Sequence, residues 1–433
     1  MLKLLKLNLL TVSVLMVTPV SAQNLEEIYR QVLQADTRLL INELGVEVGV
    51  ARVQQAYGSL LPQVSINSNW TENKRKSEGF NRDTYSGERY TLSIRQSVFD
   101  MPKYYSWKRS LDLSKQFSFQ QKDTQSIVRL DTIERYFQLL RANDELALIH
   151  EEKEATKKKA EQIEALYKKK LVKITDFYEV TARVDMLSSQ EIDAMQAVDL
   201  AKEGISELTN TSIENAAYLS DRASFAHRIQ NIDDWIEKFK VGNTSLRALQ
   251  KAVDAAKKNV EQQKSGRYPV IDLQLSKQKS NIGFENSLSN SISTEVAALN
   301  FTLPLYSGGS ASGRISEAVQ QLSLAHANYE QEYRQTIKEL RDMFIGVNAL
   351  VRRIEAAKKS IESAQKSYQA MNKSFSLGIA TVSDVLDAQQ VYSQATRTYQ
   401  QAKYDYIITK SRLQHLSGTL NDEVITEINS WLM

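Results

Sequence analysis

The sequence predicts a mixed α and β membrane protein built from two internal repeats, and three observations support this fold class. Segments of the first half recur in the second half at an offset of about 207 residues, for example Pro62 with Pro269 and Val53 with Val260. Four short segments alternate apolar and polar residues, as half-buried strands do. The chain of 433 residues contains only 15 Gly and 5 Pro, a composition that predicts very long helices.

The repeats divide the chain into two similar units with the same order of elements. We expect residues 23–210 to form the first repeat and residues 236–416 the second, each with a helix, a strand pair, a long helix and a coiled-coil hairpin. Residues 211–235 would connect the repeats, and residues 417–433 would form a separate C-terminal segment. A nearly constant offset over this length indicates duplication, because chance matches would drift.

Residues 1–22 have the features of a signal peptide. Lys3 and Lys6 precede an apolar run, and Val20 and Ala22 occupy the two positions that signal peptidase reads. The run is short for a membrane anchor, which is the alternative interpretation, and no stop-transfer segment follows it. We therefore expect an exported protein.

The composition excludes several classes of functional site. The chain has no Cys, so disulfides and Cys-based metal sites are ruled out, and its His residues include no pair at the spacing of metal ligands. The formal net charge is +3, and removal of Lys3 and Lys6 would leave about +1, which argues against nucleic acid as a partner. The sequence has no Ser–His or Cys–His arrangement and no phosphate-binding loop, so we expect neither an enzyme nor a cofactor.

The alternating segments are predicted to form two strand pairs. The strands are expected at 62–73, 89–99, 269–280 and 294–305, and the loops within the pairs at 73–88 and 278–293. Transmembrane barrels use this alternation to face lipid on one side and water on the other, although a half-buried soluble sheet gives the same pattern. Four strands cannot close a barrel, and lipid does not tolerate an open sheet edge, so several copies of the chain would have to combine their strands.

The segments after the strands are predicted to form long coiled-coil helices. Residues 104–168 contain neither Pro nor Gly, and as one helix they would extend about 100 Å. Val385 begins a series of residues spaced by seven, and Ala388 begins a second series three residues later, which is a knobs-into-holes pattern. Breaks at 169–175 and 376–382 would form the tips of two hairpins. Heptads alone also fit a soluble periplasmic coiled-coil scaffold protein, which remains the alternative.

Four segments of the chain resemble TolC-type outer-membrane efflux proteins. They are LPQVSINSNW (61–70), PLYSGGSASGRISEA (304–318), LGIATVSDVLDAQQ (377–390) and LSGTLND (416–422). The resemblance implies a homotrimer in which each chain gives four strands to one 12-stranded transmembrane β-barrel, which continues into a long α-helical coiled-coil barrel. Residues 210–235 and 417–433 would then supply an equatorial domain around the tube.

The same resemblance implies a channel without catalytic activity, in the outer membrane of a Gram-negative bacterium and extending into the periplasm. Members of this family are exit ducts of tripartite export systems. They dock onto a periplasmic adaptor (membrane fusion) protein and an inner-membrane RND or ABC-type pump, and the barrel contacts outer-membrane lipid. Multidrug efflux and type I secretion of proteins use the same architecture, and the sequence does not distinguish between them.

Two aspartates in the second hairpin are the main candidate functional residues. Asp384 and Asp387 are three residues apart on a predicted helix and therefore share one face. In the family, aspartates at the matching positions form rings in the narrowest part of the closed tube. Threefold symmetry would bring these carboxylates together, attract cations and raise the carboxylate pKa values. The alternative is a helix N-terminus, where the macrodipole and free N–H groups favour acidic residues.

Three further residues would form the gate network between the hairpins. In the family, a Tyr and an Arg on the second hairpin bond to an Asp on the first, and these positions are Phe375, Ala380 and Asp176 here. Phe375 cannot donate a hydrogen bond and Ala380 cannot form an ion pair, so we predict fewer polar contacts across the gate. We expect lysines of the first tip to replace them, and both tips to dock the adaptor. The tip residues concerned are Lys169, Lys170, Lys173, Leu377 and Gly378.

Overall fold

The structure, a computed structural model, describes residues 23–76, 83–220, 223, 225, 231–283 and 287–433. The predicted signal peptide, residues 1–22, lies outside the described residues. The helices are α1 (Leu25–Ala35), α2 (Thr37–Gly58), α3 (Met101–Lys168), α4 (Ile174–Thr209), α5 (Ile232–Gly242), α6 (Thr244–Ser265), α7 (Ser310–Ser376), α8 (Val382–Leu416) and α9 (Asp422–Asn429). The strands are β1 (Gln63–Arg75), β2 (Asp83–Phe99), β3 (Val270–Ile282) and β4 (Leu288–Thr302).

The four strands form one antiparallel sheet in the order β1-β2-β3-β4. Within the described part of the chain, the edge strands β1 and β4 are each paired on one side only. β2 begins at Asp83 and β4 at Leu288, so most of the two predicted loops, 73–88 and 278–293, is strand, and that prediction was wrong. The loops were predicted where the apolar alternation ends. Strand pairing uses backbone N–H and C=O groups, so the polar residues near each hairpin turn remain paired.

One face of the sheet is apolar and the other is polar. On the apolar face, Ile94 lies beside Leu275, and Leu275 lies beside Ala297. On the polar face, the hydroxyl groups of Ser65 and Ser93 are hydrogen-bonded at 2.8 Å. Large apolar side chains on the first face are exposed in the single chain, which is typical of a surface that faces lipid.

The long helices continue from the sheet as a layer. α3 packs between α2 and α6, and α6 packs between α3 and α7. α4 packs against the C-terminal half of α3, and α8 packs against α7 and α3. α3 has 68 residues and α7 has 67, so each is about 100 Å long. None of the helices in the described ranges combines the length and the hydrophobicity needed to cross a bilayer.

The predicted coiled-coil seam of α8 is buried or partly buried along its length. Val385 and Leu413 of α8 are fully buried, as the heptad pattern requires. In α4 the matching series is interrupted by Glu191, whose carboxylate accepts hydrogen bonds from Lys153 and, at 2.7 Å, from His150. These bonds, first from Lys153 and then from His150, hold the pKa of Glu191 below its ordinary value. The charged residue therefore has partners on α3 and does not break the hairpin.

The main core lies where α1 and α9 pack around the middle of the long helices. Tyr136 and Phe137 of α3 are fully buried, and the Phe137 ring is 5.9 Å from that of Tyr404 in α8. The Tyr136 hydroxyl donates to the carbonyl oxygen of Ala217 at 2.7 Å. This bond places the segment 211–220 beside the middle of α3.

Candidate gate at the hairpin tips

The two hairpin tips share one turn geometry. The left-handed residue of the turn is Lys170 (φ 59°) after α3 and Gly378 (φ 73°) after α7. This conformation lets backbone N–H groups bond back to carbonyls of the last helical turn, as Gly378 N–H does with the carbonyl oxygen of Phe375 at 2.9 Å. Glycine adopts it without steric cost, whereas lysine is strained by about 1 kcal/mol. The first tip therefore carries backbone strain that the second tip lacks.

Asp384 closes a capping box at the start of α8. The backbone N–H and the hydroxyl of Thr381 both donate to its Oδ2, at 2.8 and 2.7 Å, and its own N–H donates to Thr381 Oγ1 at 3.2 Å. The hydroxyl bond and then the backbone bond from Thr381 hold the pKa of Asp384 below its ordinary value. Within one chain, the helix-terminus interpretation thus accounts for Asp384. A ring of aspartates from several chains would instead raise the carboxylate pKa. That effect depends on contacts between chains and is opposite to the effect of the Thr381 bonds.

Asp387 lies one turn later on the same helix and has different surroundings. Its side chain is exposed and, as far as the described residues show, has no hydrogen-bond or ion-pair partner. It lines a groove of about 540 Å³ between α7 and α8, together with Ala357, Gln390 and Gln394. A carboxylate without a partner in its own chain is available to cations or to the same residue of other copies.

The three residues predicted to form the gate network make separate contacts within the chain. The Asp176 carboxylate accepts the backbone N–H of Lys173 at 3.3 Å, so it caps its own helix as Asp384 does. Phe375 packs against a small buried cluster that includes Ile163. Ala380 lies in the turn and brings no polar side-chain group to it.

Lys159, which sequence reasoning did not identify, connects the two hairpins. Its Nζ donates to Asn372 Oδ1 at 2.8 Å and lies 4.8 Å from the centroid of the Phe375 ring. Burial lowers the pKa of Lys159, while the ring face stabilises its cationic form. A phenylalanine that cannot donate a hydrogen bond thus still takes part in a cation–π contact between the hairpins.

A second polar layer joins the hairpins further from the tips. The Glu152 carboxylate is 2.9 Å from Arg183 of α4 and 3.6 Å from Arg397 of α8, and the residue is 5% exposed. The buried Gln389 side chain of α8 donates to Thr156 Oγ1 of α3 at 3.1 Å. This layer ties α3 to α4 and α8. Sequence reasoning missed it because the paired residues are distant in the chain and follow no motif.

The tip surface predicted to dock an adaptor is accessible. Leu377 is 66% exposed and Ile379 is 78% exposed. The tip lysines are also exposed, and none forms an ion pair within the described ranges: Lys169, Lys170 and Lys173. The hairpin tips therefore present apolar side chains bordered by cations, which is a surface suited to a protein partner.

The fold is that of known outer-membrane proteins. The crystal structure of the outer membrane protein VceC from Vibrio cholerae matches with a TM-score of 0.80 at 16% sequence identity, over 91% of this chain and 96% of VceC. Outer membrane protein TolC of Escherichia coli (strain K12) is 27% identical over 428 residues, covering 95% of this chain and 85% of TolC. Alkaline protease secretion protein AprF of Pseudomonas aeruginosa is 26% identical over 341 residues, covering 77% of this chain and 70% of AprF.

The profile of the family described as "Outer membrane efflux protein" matches residues 235–419. The match covers most of the second half of the chain, and the similarity to TolC extends over 95% of it. The resemblance inferred from the sequence motifs is confirmed, and so is the mixed α and β fold with a four-stranded sheet in each chain. These similarities identify the protein as a channel of the outer-membrane efflux type and not an enzyme. They favour the outer-membrane channel over the soluble scaffold alternative.

Proposed function

We propose that three copies of the chain assemble into one duct, with a shared 12-stranded barrel above a coiled-coil tube. The observation that carries the proposal is the four-stranded sheet with its unpaired edges β1 and β4. Their free N–H and C=O groups have no water to bond within lipid, so edges of neighbouring copies must pair. Apolar side chains exposed along α2, at one side of the helical layer, support a seam between copies there: Leu40, Ile41, Leu44 and Val48.

The duct passes molecules from an inner-membrane pump across the periplasm and the outer membrane. A periplasmic adaptor binds the exposed hairpin tips and connects the duct to a pump of the RND or ABC type. The family description supports efflux, and the similarity to AprF, a protease secretion protein, supports type I protein secretion as a second pathway.

Deleting the gene and scoring drug sensitivity together with the proteins secreted into the medium tests these pathways. Loss of secreted protein alone would assign the duct to type I secretion, and drug sensitivity alone would assign it to efflux. A deletion strain unchanged in both would contradict the proposed function.

Within this duct, Asp387 forms the ion-selective constriction and Asp384 supports it by capping the helix. We assign these two roles from the contacts. The Asp384 carboxylate accepts hydrogen bonds from Thr381, whereas Asp387 has no partner in the described part of its chain. Lys159, with Asn372 and Phe375, holds the hairpins together in the closed state.

Single-channel recordings in planar bilayers test the constriction. Asp387→Asn should remove most of the cation selectivity and increase the conductance, since charged rings attract ions of opposite sign. Glu179→Gln is the control, because Glu179 is the exposed residue at the matching position of the first hairpin. Unchanged selectivity in Asp387→Asn would place the constriction elsewhere, and a trimeric sample that never inserts would contradict the duct itself.

A further inference from the structure

A basic pocket lies just below the sheet, far from the gate. It has a volume of about 470 Å³, and residues of α3 and α6 line it, chiefly Tyr104, Tyr105, Lys108, Leu111, Lys115 and Lys258. One carboxylate, that of Asp112, accompanies the three ammonium groups. Across the described part of the chain, none of the three lysines forms an ion pair, so the pocket carries an excess of positive charge.

The depth of the pocket matches the headgroup layer of a bilayer. Lys108 follows the start of α3 at Met101 by two helical turns, and Lys258 precedes the end of α6 at Ser265 by the same distance. Both therefore lie about 10 Å from the helix end next to the sheet. Lys115 lies about 20 Å from it, and its side chain tilts towards the N-terminus of α3 and so towards the sheet. Headgroups occupy a layer of about 5–8 Å on each side of the hydrocarbon core, and lysine side chains extend far enough to reach it.

Aromatic rings surround the pocket at the level where the sheet meets the helices. The ring centroids of Tyr57 and Trp107 are 5.6 Å apart, and those of Tyr104 and Tyr105 are 5.5 Å apart. Lys108 Nζ lies 4.5 Å from the centroid of the Trp107 ring. Tyrosine and tryptophan are enriched at membrane–water interfaces, so this cluster indicates the boundary of the bilayer.

The pocket opens away from the polar face of the sheet. Lys103 donates to Ser97 Oγ at 2.6 Å, and Ser97 donates to Asp272 Oδ1 at 3.2 Å on that polar face. Lys103 therefore marks the side of α3 that faces the lumen of a barrel. At about 100° per residue, Lys108 and Lys115 lie about 120–140° around the helix from Lys103, towards the lipid side.

Assembly would leave the pocket open. It lies between α3 and α6, which are the inner members of the layer, whereas α2 and α7 form its outer sides and would contact neighbouring copies. The pocket therefore faces the membrane surface and not a seam.

From this placement we propose that the pocket binds the phosphate headgroup of an anionic phospholipid in the periplasmic leaflet of the outer membrane. The lysines contact the phosphate, and Leu111 with the tyrosine rings contacts the glycerol and the start of the acyl chains. The charge excess favours an anionic lipid over a zwitterionic one. This site goes beyond the proposed function. It rests on the proposed barrel and its assembly, and not on the gate or the cargo.

Native mass spectrometry of the purified full chain with phosphatidylglycerol or phosphatidylethanolamine tests the site. The protein should retain phosphatidylglycerol preferentially, and the Lys108→Gln/Lys115→Gln/Lys258→Gln variant should bind it at least tenfold more weakly. The control variant, Lys358→Gln/Lys359→Gln/Lys366→Gln, removes the same charge from exposed positions of α7 near the tips and should bind like the wild type. Lys258→Gln alone provides a milder second variant, with a smaller loss.

Inorganic phosphate distinguishes a lipid site from a general anion site. Excess phosphate should not displace the lipid, because the apolar contacts belong to the lipid alone. Displacement by phosphate, equal binding of the two lipids, or equal losses in the pocket and control variants would each overturn the proposal. None of these results bears on the duct, which the conductance recordings test separately.

Discussion

At the scale of single residues, Asp384 and Asp387 lie one turn apart on α8 yet have different contacts. The Asp384 carboxylate bonds to Thr381, and these bonds lower its pKa. A carboxyl group whose pKa is lowered by folding stabilises the folded state at pH values above its ordinary pKa. This stabilisation is lost as the pH falls through the lowered pKa. The cap of α8 should therefore persist at neutral pH and weaken only in acid.

The contact of Lys159 with the second hairpin gives a direct prediction for the gate. Lys159→Met removes the hydrogen bond to Asn372 and the cation–π contact with Phe375. We expect the closed channel to leak more and the tip contact to weaken by about 1 kcal/mol, since the lysine is partly exposed. Conductance of the closed state and antibiotic uptake by whole cells measure the leak.

The adjacent lysine provides the control for this experiment. Lys158 is exposed, and its position on α3 differs from that of Lys159 by one residue. Lys158→Met should leave the closed-state conductance unchanged. If both substitutions raised the leak equally, general loss of charge near the tip would be the cause, and the specific contact would not matter.

At the scale of elements, the two tip turns differ at the position with a positive φ, which is Lys170 in the first turn and Gly378 in the second. Lys170→Gly should relieve strain and stabilise the α3–α4 turn by about 1 kcal/mol, because glycine tolerates a positive φ. Gly378→Lys should destabilise the α7–α8 turn by a similar amount. Hydrogen exchange of the tip amides measures both. Faster exchange at the first tip in Lys170→Gly would contradict the assignment of strain.

The Glu152 layer is an element-scale contact that a double-mutant cycle can measure. Glu152→Ala leaves Arg183 without its partner, and we expect a loss of about 2 kcal/mol, less than for a fully buried pair because Arg183 is partly exposed. Arg183→Ala should lose a similar amount, and the double variant should lose less than the sum of the two. Additive losses in denaturant unfolding would show that the pair contributes no coupling energy.

Sequence patterns predicted the elements better than the contacts between them. The alternation in β2 and the heptads of α8 follow from period and composition, which a single sequence contains. The bond between Lys159 and Asn372 and the pair of Glu152 with Arg397 depend on how helices pack across long sequence separations, which periodicity does not encode. Asp384 is intermediate, because its capping motif is visible in the sequence but its role in a ring depends on other chains.

At the scale of the whole molecule, we predict that His415 makes the middle of the helical layer sensitive to acid. It lies at the end of α8, and its Nδ1 is 2.8 Å from Ser126 Oγ of α3. Burial lowers the pKa of His415, and the nearby carboxylates of Asp123 and Glu134 oppose this only in part. The buried ring is therefore neutral at pH 7.

The sign of the pH effect follows from the lowered pKa. The neutral form of His415 stabilises the folded protein fully above about pH 6.5, which is the ordinary pKa of histidine. This stabilisation is lost as the pH falls from there through the lowered pKa of the folded state. The melting temperature of the wild type should therefore drop between pH 6.5 and pH 5 more steeply than that of His415→Gln. His326→Gln, at an exposed histidine of α7, should leave the slope unchanged. Equal slopes in all three proteins would contradict the role of His415.

The layer of Glu152 and Gln389 also provides a pivot about which the second hairpin can tilt. Asp387 lies about 3 Å along α8 from Gln389, whereas Val382, at the tip, lies about 10 Å from it. If the second hairpin tilts about this layer by 20°, the tip moves by about 3 Å and the aspartate by about 1 Å. A partner that pulls on the tips would therefore work through a lever with a ratio of about three to one. In the proposed duct, a displacement of the tips would thus move Asp387, and with it the constriction, by about a third as much.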